Sequence, residues 1–349
     1  MHSTMTRRLC TTASSVLVLT ACQDASAPAA TVARFDSPRV TAGMRVVQTL
    51  ASASGVNALQ QVARLGGTAT ASTIATTQGI TTASASIVHA ALDAQVFAIT
   101  VLAPSVLGKT LTYDTTSHRY KPSDRSGAPP NGVRVILYAE TADHLPVISQ
   151  ELGFAELTNE SPLSVTSAAI RLAVVTGGVT RLSYGVSFTL PGVTPELNIQ
   201  GFLADATNRL EFTIAASASN PGSGSGIVNA TLRVPSAGVE VLATIHAALA
   251  GSGSIDLVVS SGTDRITVTS AMNADQVDAS FTVNGALFAR ATGSASAPTV
   301  VSADGRALST DEREALGRIV TTAGGIVQLL NDLAAPAASI VQTAASIGR

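Results

Sequence analysis

Apolar residues alternate with small polar residues through much of the middle of this 349-residue chain. In the clearest run, large apolar residues occupy one set of alternate positions and small residues the other: Leu182, Tyr184, Val186, Phe188 and Leu190 against Ser183, Gly185, Ser187 and Thr189. Because successive side chains of a strand point to opposite faces, this period of two predicts a half-buried β-strand. Any fold of this chain must therefore hide one face of a sheet.

The same alternation recurs at 210–214, 239–245 and 277–283, and includes Phe212 and Phe281. Turns rich in glycine, asparagine and proline separate these runs at short spacing. Short connections force antiparallel neighbours, because a parallel crossover needs a dozen or more residues. The pattern predicts roughly ten to thirteen strands between positions 111 and 291.

Open twisted sheets rarely exceed ~10 strands without curling. The sequence therefore predicts a mainly β fold with flanking helices (α+β). Its long antiparallel meander would form a strongly curved sheet or half-open barrel, with N- and C-terminal helices packed on the apolar face. A helical stripe of apolar residues over 42–65 supplies the first helix. Ser309 followed by Glu312 forms a capping box that predicts the start of the last one.

The N-terminus carries Leu19-Thr20-Ala21-Cys22 after Arg7-Arg8 and a short apolar run. This stretch resembles the lipobox of bacterial lipoproteins, in which a signal peptidase cuts before the cysteine and diacylglycerol is attached to its sulfur. The resemblance implies an exported protein held on a membrane through acylated Cys22. Gln23, in place of an aspartate after the cysteine, favours the outer membrane over the inner. An ordinary secretory signal cut after Ala21 is the alternative.

These features divide the chain into five predicted segments. They are a lipoprotein signal peptide (1–21), a flexible tether (22–40), an N-terminal helical segment with a Ser/Thr-rich loop (41–107), the antiparallel β meander (108–300) and a C-terminal helical segment (301–349).

Charge and residue chemistry narrow the function classes. Loss of Arg7 and Arg8 with the signal leaves 19 of the 21 basic residues against 23 acidic ones, a balance that argues against nucleic acid as a partner. The four histidines outside the signal have no zinc-site spacing: His89, His118, His144 and His246. No catalytic constellation stands out, so we expect no metal, no cofactor and no enzymatic activity.

One loop gathers aromatic and basic side chains. Tyr113, Arg119, Tyr120 and Arg125 surround a predicted hairpin, where they would bind a glycan or an anionic headgroup on the surface. The alternative interpretation is structural, with Tyr113 and Tyr120 forming a cross-strand pair worth ~0.2–1 kcal/mol.

Two main functions follow from this organisation, beside a hydrolase whose active-site order the sequence does not reveal. The first is a membrane-anchored, non-catalytic envelope lipoprotein that acts as a scaffold or interaction module for an envelope protein partner. The alternative is a carrier or sensor of a lipid or other apolar ligand held between sheet and helices. Its cavity would be lined by Leu182, Tyr184, Val186, Phe188, Phe212 and Phe281. The order of elements resembles the periplasmic lipoprotein-carrier family (LolA and LolB), whose half-open barrels carry helices as a lid.

Overall fold

The computed structural model describes residues 33–52, 102, 104–143, 145–160, 167–189, 196–220, 225–247, 252–273, 276–294, 298–322 and 329. The predicted signal peptide, Cys22, most of the tether and most residues after 322 lie outside these ranges. Helix α1 spans Ser37–Ser52, and residues 310–322 form a second helix, α2.

Fifteen strands lie between the two helices. They are β1 Lys109–Asp114, β2 Arg119–Ser123, β3 Gly132–Glu140, β4 Pro146–Asn159, β5 Ser167–Thr176, β6 Val179–Thr189, β7 Glu196–Ala204, β8 Arg209–Asn220, β9 Ser225–Val234, β10 Val239–Ala247, β11 Ser252–Ser261, β12 Asp264–Asn273, β13 Gln276–Val283, β14 Ala286–Ser294 and β15 Thr299–Ser302.

All fifteen strands form one sheet, in which β3 to β15 follow each other in chain order. The predicted mainly β fold is confirmed. The prediction of a wholly antiparallel meander is wrong at one place, because β1 inserts between β2 and β3 and runs parallel to β3. The connection from β1 to β3 spans residues 115–131 and contains β2, which gives it the length that a parallel crossover needs. Strands β2 and β15 are the two edges.

The period of two explains which side chains are buried. In β8, Leu210, Phe212, Ile214 and Ala216 are buried, whereas the residues between them are more exposed. Register aligns such positions across the sheet: Tyr184, Gly201, Phe212, Leu232 and Val241 lie opposite one another in turn. One face of the sheet therefore carries continuous rows of apolar side chains.

Gly201 has no side chain in this row, and the neighbouring Tyr184 lies against its Cα. A Cβ atom at this position would lie 2.5 Å from the Cβ of Tyr184 and 2.1 Å from the carbonyl oxygen of Ser183. Only glycine leaves room for this close approach. The Tyr184 side chain is fully buried there, and burial raises the pKa of its phenol.

Helix α1 begins earlier than the sequence indicated, inside the segment predicted as tether. The Asp36 side chain accepts a hydrogen bond from the Arg39 amide (3.1 Å), which satisfies a donor of the first turn. The helix contacts β7 to β11. Gly43 lies tight against β10, since a Cβ there would lie 2.1 Å from Cγ2 of Val239.

Helix α2 starts with the capping box that the sequence predicts. The Glu312 amide donates to Oγ of Ser309 (3.2 Å), and the Ser309 amide donates to a carboxylate oxygen of Glu312 (2.8 Å). Arg306 adds a bidentate pair to Glu312, with both distances 2.7 Å. The Arg306 hydrogen bonds and the Ser309 amide lower the pKa of Glu312 to about 2.

The two helices contact each other through Gln48. Its side-chain amide donates to the Arg318 carbonyl oxygen (3.3 Å), and the Arg318 guanidinium donates back to Oε1 of Gln48 (2.8 Å).

Candidate functional site

The residues predicted to line an apolar cavity lie on the apolar face of the sheet. Leu182, Tyr184, Phe212 and Phe281 are fully buried members of one hydrophobic cluster, and Val186 is partly buried against it. The side chain of Phe188 lies outside the described part of the structure, although its backbone pairs with Leu197. Leu182, Tyr184, Phe212 and Phe281 come together because they face the same side of the sheet.

The β1–β2 hairpin shows the cross-strand arrangement of its tyrosines. Tyr113 and Tyr120 lie directly opposite each other, with ring centroids 5.5 Å apart at 69°. The Tyr120 hydroxyl donates to the Ile136 carbonyl oxygen (3.0 Å), and burial raises its pKa. Tyr120 is therefore a core residue and not part of a surface site, because its ring points into the sheet's apolar cluster.

The remaining members of that predicted surface site have different charged partners. Arg119 is exposed on β2 opposite Asp114, whose carboxylate pairs with Lys121. Lys121 and the Thr116 amide hold the pKa of Asp114 well below its ordinary value. Arg125 forms a bidentate pair with Glu151 of β4 (2.8 and 3.1 Å) and also bonds Tyr138, whose hydroxyl bonds the backbone of Tyr113. A surface site of Tyr113, Arg119 and Arg125 stays a prediction.

Arg125 belongs to a cluster at the base of the β3–β4 hairpin. Tyr138 lies opposite Glu151 in the ladder. The hydrogen bond to Glu151 raises the pKa of Arg125, and burial raises the pKa of Tyr138. The cluster holds the first half of β4 in place through a charge-assisted, bidentate contact.

The end of this hairpin carries apolar side chains in water, a feature that sequence analysis missed. Leu145 and Leu152 are each 48% exposed and Ile148 is 41% exposed. In the pairing of β3 with β4, Tyr138 lies opposite Glu151 and the next residue, Ala139, lies opposite Val147. Residues 148–150 therefore have no partner on β3 and form a bulge. We call residues 141–143 and 145–152 the β3–β4 finger. The sequence signal was the apolar Leu145 and Ile148 beside a turn, outside the alternation that marks the core.

The opposite face of the sheet is largely polar, except at β3, where Ile136 is buried. Charged residues of opposite sign lie next to one another across its strands, as in the series Glu211, Arg233 and Glu240. Arg134 contacts Glu156 on the neighbouring strand (2.8 Å) and covers the Phe154 ring at 4.0 Å. Such pairs stabilise strand pairing by ~0.2–1 kcal/mol each and need no ligand.

Within the described ranges, no group of three or more His, Cys, Asp or Glu side chains is placed to hold a metal ion. None of the helices in the described part is both long enough and apolar enough to cross a membrane. Comparison of the chain with protein-family models, with curated proteins and with solved structures gives no match.

Proposed function

We propose that this protein is a non-catalytic lipoprotein of the bacterial cell envelope, anchored through acylated Cys22, whose sheet acts as a scaffold or interaction module. The observation that carries the proposal is Leu19-Thr20-Ala21-Cys22 in its place after a basic start and a short apolar run. Two acyl chains suffice for stable anchoring. Gln23 favours the outer membrane as the site of the anchor.

We further propose that the sheet curves into a half-open barrel around α1, with the helices on its apolar face. Two sets of contacts support this shape. Helix α1 contacts β7 to β11, while Phe35, just before the helix, contacts Phe288 of β14 with ring centroids 5.3 Å apart. Fifteen strands also exceed the width at which open sheets curl.

The packing of the apolar face supports a scaffold over a carrier. Core side chains from β3 to β14 form one cluster that also contains Val40, Met44 and Val47 of α1. The tight contacts of Gly43 with Val239 and of Gly201 with Tyr184 leave no room even for a methyl group at those points. A carrier would need an apolar cavity of ~300–1,000 Å³, so the carrier remains the second hypothesis.

Fractionation of cells tests the anchor. The native chain is expected in the membrane fraction, and Cys22→Ala is expected in the soluble fraction, because acylation requires the thiol. Cys10→Ala is the matched control, since this cysteine belongs to the predicted signal peptide and leaves with it. Equal distribution of the native chain and Cys22→Ala would remove the lipid anchor from the proposal.

A further inference from the structure

The turns between successive strands lie at two opposite ends of the sheet. Alternate turns of an antiparallel meander lie at the same end, and β1 runs parallel to β3. The turns after β1, β3, β5, β7, β9, β11 and β13 therefore share one end, which we call the turn rim. It comprises residues 115–118, 141–143, 145, 177–178, 205–208, 235–238, 262–263 and 284–285.

Exposed apolar side chains concentrate at this rim. Of the nine exposed large hydrophobic residues in the described part of the chain, Leu145 lies in the rim itself. Four more lie on strands that start at the rim: Ile148, Leu152, Val179 and Leu287. The Gly177 amide donates to the Leu152 carbonyl oxygen (3.2 Å), so the β5–β6 turn lies beside the β3–β4 finger. Val179, 48% exposed, follows that turn directly. The finger and its neighbour thus form one aliphatic patch.

The chain that leads to Cys22 leaves from the same rim. The Asp36 amide donates to Oδ2 of Asp264 (2.7 Å), immediately after the β11–β12 turn. A Cβ at Gly262 in that turn would lie 2.5 Å from the Arg39 guanidinium. Cys22 precedes Ala33, where the described part of the chain starts, by eleven positions. The chain from the proposed anchor therefore joins the described fold at this rim.

We propose that the turn rim faces the membrane, and that Leu145, Ile148, Leu152 and Val179 insert into its interface. The inference rests on the lipid anchor proposed above. It favours a lipid surface over a protein partner because the chain from the proposed anchor joins the fold at the end that carries the patch, and because the patch is aliphatic. Tyr113 beside the β1–β2 turn has the amphipathic ring that membrane–water interfaces favour.

The charged residues near the patch limit how deeply the finger can enter the membrane. Arg125 and Glu151 at the base of the finger neutralise each other in their bidentate pair, while Asp143 in the turn is exposed. Burial of an unpaired carboxylate in hydrocarbon is unfavourable. The finger therefore enters only the boundary between headgroups and acyl chains.

A fluorescent probe on the finger tests the orientation in the full mature chain. Loss of Cys10 with the signal and acylation of Cys22 make Ile148→Cys the sole reactive thiol. The labelled protein is reconstituted in vesicles of phosphatidylethanolamine and phosphatidylglycerol that contain a lipid-bound quencher. The matched control is Leu242→Cys, an exposed position four residues along β10 from Gly238, about 13 Å from the rim.

We expect blue-shifted emission and several-fold stronger quenching for the probe at position 148 than for the probe at 242. Equal quenching at both positions would overturn the proposal, because the polar face would then lie on the membrane. Emission from water at both positions would overturn it as well.

A second measurement separates this inference from the anchor. In a chain carrying Cys22→Ser, Leu152→Ser is expected to lower partition onto the same vesicles about fivefold, since a half-exposed leucine loses its transfer to lipid. Leu242→Ser is expected to leave partition unchanged, and an equal effect of both would refute the rim. N-terminal mass spectrometry of the native protein reports Cys22 acylation independently. An acylated chain with its finger in water would refute the rim alone.

Discussion

Two phenylalanines on neighbouring strands test the sidedness of the sheet. Phe212 of β8 and Phe202 of β7 lie one register position apart, since Phe212 pairs with Gly201 and Phe202 pairs with Glu211. Phe212 is 3% exposed on the apolar face. Phe202 is only partly buried, and the Arg209 guanidinium lies 3.7 Å from its ring centroid. The same substitution at each position therefore compares the two faces directly.

We expect Phe212→Ala to lower the free energy of unfolding by ~3–5 kcal/mol, the usual cost of removing a buried ring and leaving a cavity. Phe202→Ala loses a cation–π contact worth ~0.5–1 kcal/mol and some partial burial. We expect its total cost to stay near ~1 kcal/mol. The predicted difference between the two variants is thus at least ~2 kcal/mol.

Urea unfolding followed by far-UV circular dichroism measures this difference. The midpoint of Phe212→Ala should fall well below that of Phe202→Ala, with similar slopes for both variants. Equal midpoints, or a lower midpoint for Phe202→Ala, would refute the assignment of faces.

Three further outcomes follow from individual contacts. Gly43→Ala is expected to destabilise the protein by ~1–3 kcal/mol, because its Cβ would lie 2.1 Å from Val239 Cγ2; adding Val239→Ala should restore most of the loss, and a failure to restore it would contradict this contact. Gly317→Ala in α2 is expected to raise the free energy of unfolding by roughly 0.5–1 kcal/mol, seen as a higher urea midpoint, because alanine favours the helix over glycine and nothing lies within 4 Å of the added Cβ. The folded protein holds the pKa of Glu312 at about 2, below its ordinary 4.5, so the stability this carboxylate adds is complete above about pH 4.5 and is lost as the pH falls towards 2. Urea midpoints measured over a range of pH should fall at acid pH in the native chain and fall less in Glu312→Gln. Identical profiles would contradict the stabilising pair between Arg306 and Glu312.

The alternation of residues predicted most of the sheet. It identified Leu182, Tyr184, Phe212 and Phe281 as residues of one face because side-chain direction depends only on local backbone period. The capping box at Ser309 was equally local, and its reciprocal hydrogen bonds are present.

Features that depend on distant contacts were beyond the sequence pattern. The insertion of β1 between β2 and β3 depends on which edge of β1 the later strand joins, and no residue type encodes that choice. Tyr120 is buried and its hydroxyl bonds to Ile136 of β3, on the far side of β1, a contact that no local pattern encodes. The β3–β4 finger escaped notice because apolar residues near a turn give the same signal whether they pack or face water.

Native mass spectrometry of the protein extracted from membranes tests the central claim most directly. We predict a mass equal to the mature chain starting at Cys22 plus its covalent acyl groups, with no other molecule bound in stoichiometric amount. A co-purifying apolar ligand at one per chain would contradict a filled scaffold and establish a carrier, and a chain without acyl groups would contradict the anchor.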